Sequence, residues 1–322
     1  MKLRNLITNE DAERFARAWQ MMLGASKITL LTHYNPDGDG VSACAALDHI
    51  LRGLGKEVET VYPTPLKVAI NRQPKKILIN VHDQVPDLVV ICDTANYERL
   101  YYPEQFRSIP AINIDHHVSS SINPTINLLD PVAPSTCDYL YRLLVSVDPS
   151  LVDKFVAECL LYGILYDTQS FSIQSTSAQV LRVAADLIDR GVDYHPLAQE
   201  LMYRKQPAEL KFWGQLLSKM QSNASGSVVW IVVKQQDLKA AGLPTEVIAG
   251  LENLFAQLAV TAVTLLFYED SQGKSKASFR SKGVNVNEVA KKFGGGGHKL
   301  ASGLMSDIPL DELVQQVTAC FE

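Results

Sequence analysis

The sequence has few of the features that mark secreted, membrane-spanning or disulfide-rich proteins. Only five of its 322 residues are cysteines, and they are scattered without a Cys-x-x-Cys pair, which favours buried reduced thiols over disulfides or a cysteine-ligated zinc. No apolar run approaches the roughly 20 residues that span a bilayer. The N-terminal segment lacks an apolar core and turns acidic at Glu10 and Asp11, unlike a signal peptide. We therefore expect a cytoplasmic protein that has no membrane partner.

Positive charge is also scarce. The chain has 30 Lys and Arg residues against 35 Asp and Glu residues, a formal net charge of −5, so it has no global basic field that would hold long duplex DNA. Its composition, 47% hydrophobic and 20% charged, is that of a globular protein, and its length predicts about two domains. The acidic balance favours a small substrate held by metal ions.

The first half of the chain alternates short β-rich runs with helical patterns, which predicts a parallel α/β sheet. The predicted strands are Ile28–Thr32, Lys56–Tyr62, Leu88–Cys92 and Ala111–Ile114, and the predicted helices are Val41–Leu54, Pro134–Ser146, Val152–Leu165 and Ser177–Arg190. In sheets of this kind, ligands bind beyond the carboxyl ends of the strands. Acidic residues and histidines follow these predicted strands, so we expect a site at that edge.

A second α/β pattern begins after a break that contains Gly and Pro. We expect residues 1–190 to form the domain with the metal site, 191–222 a linker and connecting helix, and 223–322 a smaller α/β domain, with the active site in the cleft between the domains. The predicted elements here are strands Val228–Val233, Thr261–Tyr268 and Lys274–Ser281, and helices Glu209–Met220, Thr245–Leu258 and Val286–Phe293.

Four separate segments carry carboxylates and imidazoles in a pattern typical of metal ligands. They contain His33 with Asp37 and Asp39; Asp93; Asp115 with His116 and His117; and Asp167. In an extended or turn segment Asp37 and Asp39 point the same way, and the neighbouring glycines let the backbone fold around an ion. Taken singly, Asp93 is equally consistent with a helix N-cap and residues 37–40 with an ordinary turn.

Mixed oxygen and imidazole ligands suit Mn²⁺, with Mg²⁺, Co²⁺ or Zn²⁺ left open. The set is larger than one ion requires, so we predict two ions that share a carboxylate and activate a water molecule.

A run of four glycines, Gly294–Gly297, precedes His298. Glycines permit close backbone approach to an anion and leave N–H groups free to bind phosphate. Arg280 adds a charged fork for phosphate or carboxylate. The alternatives are a flexible linker for the glycines and an exposed strand cation for Arg280.

These segments resemble the DHH phosphoesterase superfamily. Its four N-terminal motifs are matched in order by the segments that contain His33, Asp37 and Asp39; Asp93; Asp115, His116 and His117; and Asp167. The segments around Arg280, Gly294–His298 and Ala301–Gly303 resemble the DHH-associated C-terminal domain of the RecJ-like branch. The resemblance covers nearly the whole chain, and the length resembles that of the nanoRNase members.

The resemblance implies a role for each residue. The metal ligands would be His33, Asp37, Asp39, Asp93, His116 and Asp167, and the catalytic residues Asp39, Asp93, Asp115 and His117. Asp39 and Asp93 would lie between the ions, with Asp93 as the bridge. Asp115 would orient His116, and His117 would face the substrate phosphate. The substrate would be held by His117, Arg280, Gly295, Gly296, Gly297 and His298.

The resemblance also implies a Mn²⁺-dependent phosphoesterase acting on short oligonucleotides, on 3′-phosphoadenosine 5′-phosphate (pAp), or on both. The alternatives are a cyclic-dinucleotide phosphodiesterase and a non-catalytic nucleotide sensor, and a homodimer is compatible with it. The first motif has Gly40-Val41-Ser42-Ala43 where the family usually has Ala-x-Gly-Ser, and the fourth has Tyr166-Asp167-Thr168-Gln169 where Thr-Asp-Thr-Gly is commoner. Neither departure removes a ligand, but both bear on substrate choice.

Overall fold

The computed structural model describes residues 7–66, 71–117, 121–173, 175–202, 205–248, 250–255, 257–258, 261–270 and 272–321. The chain divides into two compact units, Met1–Arg204 and Lys205–Glu322. This division lies inside the range 191–222 that was predicted to join the domains. In the described part of the chain, no helix is both long and apolar enough to cross a membrane.

Unit 1 contains the predicted parallel sheet. Its six strands are β1 (Lys27–Leu31), β2 (Glu57–Tyr62), β3 (Ile77–Ile79), β4 (Leu88–Cys92), β5 (Ala111–Asp115) and β6 (Ile126–Leu129). They lie in the order β3-β2-β1-β4-β5-β6, and every pair is parallel. Strand β4, LVVIC, is buried at every position, as expected for a strand covered on both faces. The strand order reverses direction between β1 and β4, and such a switch point opens a crevice at the carboxyl ends.

Helices cover this sheet. They are α1 (Asn9–Gly24), α2 (Gly38–Gly53), α3 (Thr136–Val147), α4 (Lys154–Asp167), α5 (Ala178–Asp189) and α6 (Tyr194–Met202). Side chains cap five of them at the N-terminus, and the capping residues of α1 to α5 are Thr8, Asp37, Ser135, Asp153 and Ser177. Each accepts a hydrogen bond from a backbone N–H that the first helical turn leaves unpaired. The caps explain why these helices begin where they do.

Two local predictions were wrong. Helix α2 begins at Gly38 rather than Val41 because Asp37 caps it. The single helix predicted over Thr245–Leu258 is a 3-10 helix, Thr245–Ile248, followed by a short α-helix, Leu251–Phe255; between them Gly250 has a φ of 88°, which a right-handed helix does not accommodate.

Unit 2 has a second six-stranded sheet. Its strands are β7 (Gln221–Ser222), β8 (Val228–Val233), β9 (Val263–Glu269), β10 (Ser275–Ser281), β11 (Gly296–His298) and β12 (Ala301–Ser306), in the order β11-β12-β10-β9-β8-β7. Only β8 and β9 pair in parallel; the other pairs described are antiparallel. The helices are α7 (Pro207–Ser218), α8 (Gln235–Ala241), α9 (Leu251–Phe255), α10 (Val286–Lys292) and α11 (Leu310–Ala319).

The two faces of this second sheet are covered differently. One face carries Phe279 and Leu304 and packs in one core cluster with Val289 and Leu313 of α10 and α11. On the other face, Ile231 and Leu266 pack with residues of α7, α8 and α9. Along β10 and β12 that second face carries small and polar residues that are only partly buried.

Candidate metal centre

The predicted ligands of unit 1 meet at the carboxyl ends of three strands. His33 follows β1, Asp93 follows β4, and His116 follows β5. Strand β4 lies between β1 and β5, so Asp93 lies between the two histidines. Its Oδ2 is 3.5 Å from His33 Nε2, and its Oδ1 is 3.6 Å from His116 Nε2. The site is therefore at the switch point of the sheet.

Asp93 has a backbone conformation that few residues other than glycine adopt. Its φ is 58°, in the left-handed region, where a residue of this kind is uncommon and is often found at functional sites. It caps no described helix, because the 3-10 helix that follows, Tyr97–Arg99, has Asn96 at its N-cap. Its Oδ1 accepts a hydrogen bond from Thr136 Oγ1 at 3.1 Å. Tertiary contacts hold this carboxylate between the imidazoles.

Asp37 and Asp39 do not share one extended or turn segment as expected, because Asp37 has an extended backbone and Asp39 lies in a helix. Asp37 caps α2 and accepts with Oδ1 from the N–H groups of Asp39 and Gly40, at 3.0 and 3.2 Å. Its Oδ2 lies 3.6 Å from His33 Nε2. Asp39 is in the first turn of α2, and its carboxylate accepts from the backbone N–H groups of Thr136 and Cys137 at 2.6 and 3.0 Å. The start of α3 thus holds Asp39 inside the site.

The six predicted ligands fall into two groups whose donor atoms lie within 4.8 Å of one another. One group is His33, Asp37 and Asp93, and the other is Asp39, His116 and Asp167. A third, overlapping group joins Asp93 to His116 and His117. Carboxylate oxygens with imidazole nitrogens form a donor set that divalent transition metals accept. Two triads with Asp93 near both fit a pair of ions.

The electrostatics of the cluster favour the binding of a cation. Burial, followed by the charge of Asp93, raises the pKa of Asp39 to about 7. Burial also raises the pKa of Asp167, and the charges of Asp39 and Asp93 add to the effect. Burial alone would lower the pKa of His33, but hydrogen bonds to Asp37 and Asp93 outweigh it and raise this pKa to about 10. A divalent cation would relieve the repulsion between these buried carboxylates.

Asp115 contacts a different ring from the one expected. Its Oδ1 accepts from the backbone N–H groups of His116 and His117, at 2.8 and 3.2 Å, and lies 2.7 Å from His117 Nδ1. The ring of His116 instead has its Nδ1 3.3 Å from the Ala133 carbonyl oxygen. The hydrogen bond to Asp115 raises the pKa of His117, which the nearby charge of Arg99 opposes. Asp115 therefore favours a protonated His117.

Close packing accounts for three glycines around the site. A Cβ on Gly40 would lie 2.2 Å from Thr32 Oγ1, and one on Gly38 would lie 2.4 Å from the ring of Tyr166. A Cβ on Gly163, in α4, would lie 2.7 Å from Asp39 Oδ1. Gly40 and Tyr166 are positions at which the motifs depart from the usual family pattern. Gly40 leaves room for the Thr32 hydroxyl, and the ring of Tyr166 packs where Gly38 has no side chain.

Arg99 was not identified from the sequence. Its Nη2 lies 3.0 Å from His33 Nδ1. The residue lies in a segment without a recognisable motif, and only the fold brings it next to His33, 66 positions away. The sequence offers one signal for it: Arg99 comes shortly after strand β4 and the predicted ligand Asp93.

The predicted substrate residues of unit 2 share one face of its sheet. Ala301 on β12 pairs with Arg280 on β10 and with His298 on β11. Paired residues of neighbouring strands point to the same side, and two strand spacings separate Arg280 from His298 by about 10 Å. The Arg280 guanidinium also lies 3.6 Å from Glu252 Oε1. Ala301 thus lies between Arg280 and His298 on a partly open surface.

The glycine run forms part of a hairpin rather than a free loop. Gly296 and Gly297 belong to β11 and pair with Gly303 and Ser302. A Cβ on Gly295 would lie 2.3 Å from the Gly303 carbonyl oxygen, and Gly297 has a φ of 142°. Packing and backbone conformation therefore require these glycines. Gly296 is exposed, with nothing near the position of a Cβ.

Comparisons with known proteins agree with both units. Residues 27–164 match the DHH family, N-terminal domain, and residues 214–322 match the DHHA1 domain. The chain is 28% identical over 304 residues to the bifunctional oligoribonuclease and PAP phosphatase NrnA of Thermus thermophilus. The aligned region covers 90% of this chain and 87% of that protein.

Two solved structures have a similar fold. An exopolyphosphatase-related protein from Bacteroides fragilis superposes with a TM-score of 0.87 at 22% identity, covering 96% of each chain. RecJ of Thermus thermophilus, in complex with Mn²⁺, has a TM-score of 0.55 at 15% identity and covers 97% of this chain and 54% of its own. At these identities the likeness concerns the fold alone.

Proposed function

The chain has a DHH family N-terminal domain followed by a DHHA1 domain, and on this basis we propose that it is a metal-dependent phosphoesterase. Its substrates would be short oligonucleotides, pAp, or both, in line with the name of its NrnA relative. The observation that carries the proposal is the pair of ligand triads at the switch point, with Asp93 next to both. A buried carboxylate between two histidines, on a strained backbone, suits a bridge between two ions.

His33, Asp37 and Asp93 would hold one ion, and Asp39, His116 and Asp167 the other. Bound there, two divalent ions would supply the acidity that activates water and the charge that stabilises phosphoryl oxygens. We propose Mn²⁺ as the ion because the donors mix oxygen and imidazole, with Mg²⁺ and Co²⁺ as the alternatives to test.

The protein's own groups would bind and orient the phosphate. The hydrogen bond with Asp115 raises the pKa of His117, and in its protonated form His117 would present its Nε2–H to a phosphoryl oxygen. This arrangement supports the role of His117 as the residue that faces the substrate. Asp115 would fix the orientation of that ring, and Thr136 would hold Asp93 through its hydroxyl.

Unit 2 would supply the nucleotide contacts. Arg280 and His298 lie on the same face, with Ala301 between them. An arginine fork and an imidazole at this spacing suit a phosphate and its neighbouring sugar or base. A homodimer stays a prediction.

The decisive experiment is a substrate panel with purified full-length protein. The panel contains pAp, a 5′-labelled dinucleotide, a labelled 24-mer and cyclic di-AMP, each assayed with Mn²⁺, Mg²⁺, Co²⁺ and EDTA. We expect mononucleotides from the dinucleotide, phosphate from pAp, or both, with Mn²⁺ and not with EDTA. Preferred cleavage of cyclic di-AMP would replace the proposed substrate class. Equal rates on the 24-mer would contradict the small-substrate assignment, and inactivity under every condition would leave a nucleotide sensor.

A further inference from the structure

Arg99 is tied to the metal centre by its backbone as well as its side chain. Its carbonyl oxygen accepts a hydrogen bond from the Tyr34 N–H at 2.6 Å, and its own N–H lies 3.4 Å from the Asn96 carbonyl oxygen. Its guanidinium Nη2 is 3.0 Å from His33 Nδ1. The side chain is partly buried. Arg99 therefore occupies a defined position next to a predicted metal ligand.

His33 Nδ1 has two neighbours that it cannot satisfy at once. It lies 2.9 Å from the Tyr34 carbonyl oxygen, to which it can only donate, and 3.0 Å from Arg99 Nη2, from which it can only accept. A neutral imidazole carries one proton, so a ring that binds a metal through Nε2 keeps its proton on Nδ1. That proton donates to the Tyr34 carbonyl oxygen. With a metal on Nε2, Arg99 thus loses His33 as an acceptor.

Arg99 also differs from the neighbouring arginines in its partners. Arg52, Arg107 and Arg142 each have a carboxylate within hydrogen-bonding distance. Among the residues that the structure describes, no carboxylate lies within 4.0 Å of the Arg99 guanidinium, although the site beside it is rich in carboxylates. Its charge reaches His117, whose pKa is raised by the hydrogen bond with Asp115 and lowered by Arg99.

We propose that Arg99 is a further substrate-binding residue, whose guanidinium binds a phosphate oxygen of the nucleotide when His33 holds a metal ion. The inference rests on the proposed function and extends it, since it adds a cation from unit 1 to those of unit 2. A guanidinium presents several N–H donors in a planar fork that matches phosphate geometry. Its contact with His33 brings it to the ligand group of His33, Asp37 and Asp93, where a phosphate bound to the ion would lie.

The test measures equilibrium binding, so that it does not depend on turnover. We would titrate 5′-AMP into wild type, Arg99→Met and Arg99→Lys by calorimetry in saturating Mn²⁺, and measure Mn²⁺ affinity separately by electron paramagnetic resonance. We expect Arg99→Met to weaken 5′-AMP binding by about 10- to 100-fold, the usual loss for a hydrogen bond to a charged group. The 5′-AMP affinity of Arg99→Lys should lie between those of the wild type and Arg99→Met. The Mn²⁺ affinity of both variants should stay within about threefold of the wild-type value.

Arg107→Met is the matched control. Arg107 lies in the adjacent 3-10 helix, Glu104–Ser108, pairs with Glu104 at 2.8 Å and stacks on Tyr97. It should bind 5′-AMP as the wild type does. If Arg99→Met is unstable, Arg99→Gln repeats the measurement with a polar, uncharged side chain.

Two results would overturn the inference. One is wild-type affinity for 5′-AMP in Arg99→Met. The other is a loss of Mn²⁺ affinity as large as the loss of 5′-AMP affinity, which would make Arg99 a support for His33 only. An inactive wild type on the substrate panel would instead remove the proposed function, and the 5′-AMP titration would still decide the role of Arg99.

Discussion

The two units use six-stranded sheets in opposite ways. In unit 1 the sheet is parallel and buried, and its chemical groups follow the strand ends, where Asp39 and Asp93 are withdrawn from solvent. In unit 2 most strand pairs are antiparallel, and Arg280 and His298 lie on a partly open face with Ala301 between them. One unit gathers buried negative charge, and the other presents positive charge and hydrogen-bond donors at its surface.

This difference supports the proposal that the two units bind different ligands. Buried carboxylates that repel one another need a cation, because an uncompensated charge in a protein interior is costly. Cations on an open face cost little and attract an anion. We therefore expect substitutions in unit 1 to act on metal binding and turnover together, and substitutions in unit 2 to act on substrate affinity alone.

The largest effect should come from Asp93→Asn. Loss of the central carboxylate removes a ligand close to both triads, and several kcal/mol of lost charge stabilisation corresponds to about a thousandfold lower kcat. The same variant should lose the rise in melting temperature that Mn²⁺ gives the wild type. Asp87→Asn is the control, since Asp87 precedes the same strand and accepts from Ser26 and Lys27 N–H groups at its other end. Near-normal turnover in Asp93→Asn would contradict the assignment of the metal centre.

Arg280→Met should have the next largest effect, and of a different kind. We expect KM to rise by about 10- to 100-fold through loss of a charged hydrogen bond, while stabilisation by Mn²⁺ stays as in the wild type. His298→Ala should behave similarly. Lys276→Met is the control, because Lys276 lies four positions before Arg280 on β10 and pairs with Asp270 at 3.3 Å. If Arg280→Met abolished the response to Mn²⁺, the division of labour between the units would be wrong.

Glycine substitutions should destabilise both units, but only in unit 1 can a second substitution relieve the clash, because there the added Cβ meets a side chain rather than the backbone. In unit 1 a Cβ on Gly40 meets the Thr32 hydroxyl, and in unit 2 a Cβ on Gly295 meets the Gly303 carbonyl oxygen. Overpacking of this kind costs about 1–3 kcal/mol of unfolding free energy. Adding Thr32→Ala should restore part of the loss in Gly40→Ala, as urea denaturation in EDTA would measure. Equal stability of the single and double variants would contradict this contact.

The last prediction is a pH trend in the stability of the metal-free protein. Asp39 has a folded pKa of about 7 against 3.8, and His33 about 10 against 6.5. Between those values the folded state holds more protons than the unfolded state, so stability should fall as pH rises from about 4 to about 10. Melting temperatures in EDTA would record this fall. Saturating Mn²⁺ should flatten or reverse it, because metal binding competes with protons.

Much of the site could be predicted because its signals are local. His33, Asp93 and His116 follow short apolar runs, and the carboxyl ends of parallel strands converge at one edge. The helix boundary before α2 was missed because Asp37 has two roles: one carboxylate oxygen caps the helix and the other faces His33. The family departures could be seen in the sequence, but their steric reason, Thr32 against Gly40 and Tyr166 against Gly38, required the packed structure.

The sequence by itself determined the residue types, their order and the parallel architecture of unit 1, because alternation of strands and helices and the chemistry of ligands are written in local patterns. Only the tertiary structure decided that Asp115 binds the ring of His117, that Arg99 reaches His33, and that Arg280 and His298 lie in register. These contacts depend on strand register and on the packing of distant segments. A shift of a strand's register by one residue would turn its side chains to the opposite face of the sheet. No local pattern in the sequence encodes the register.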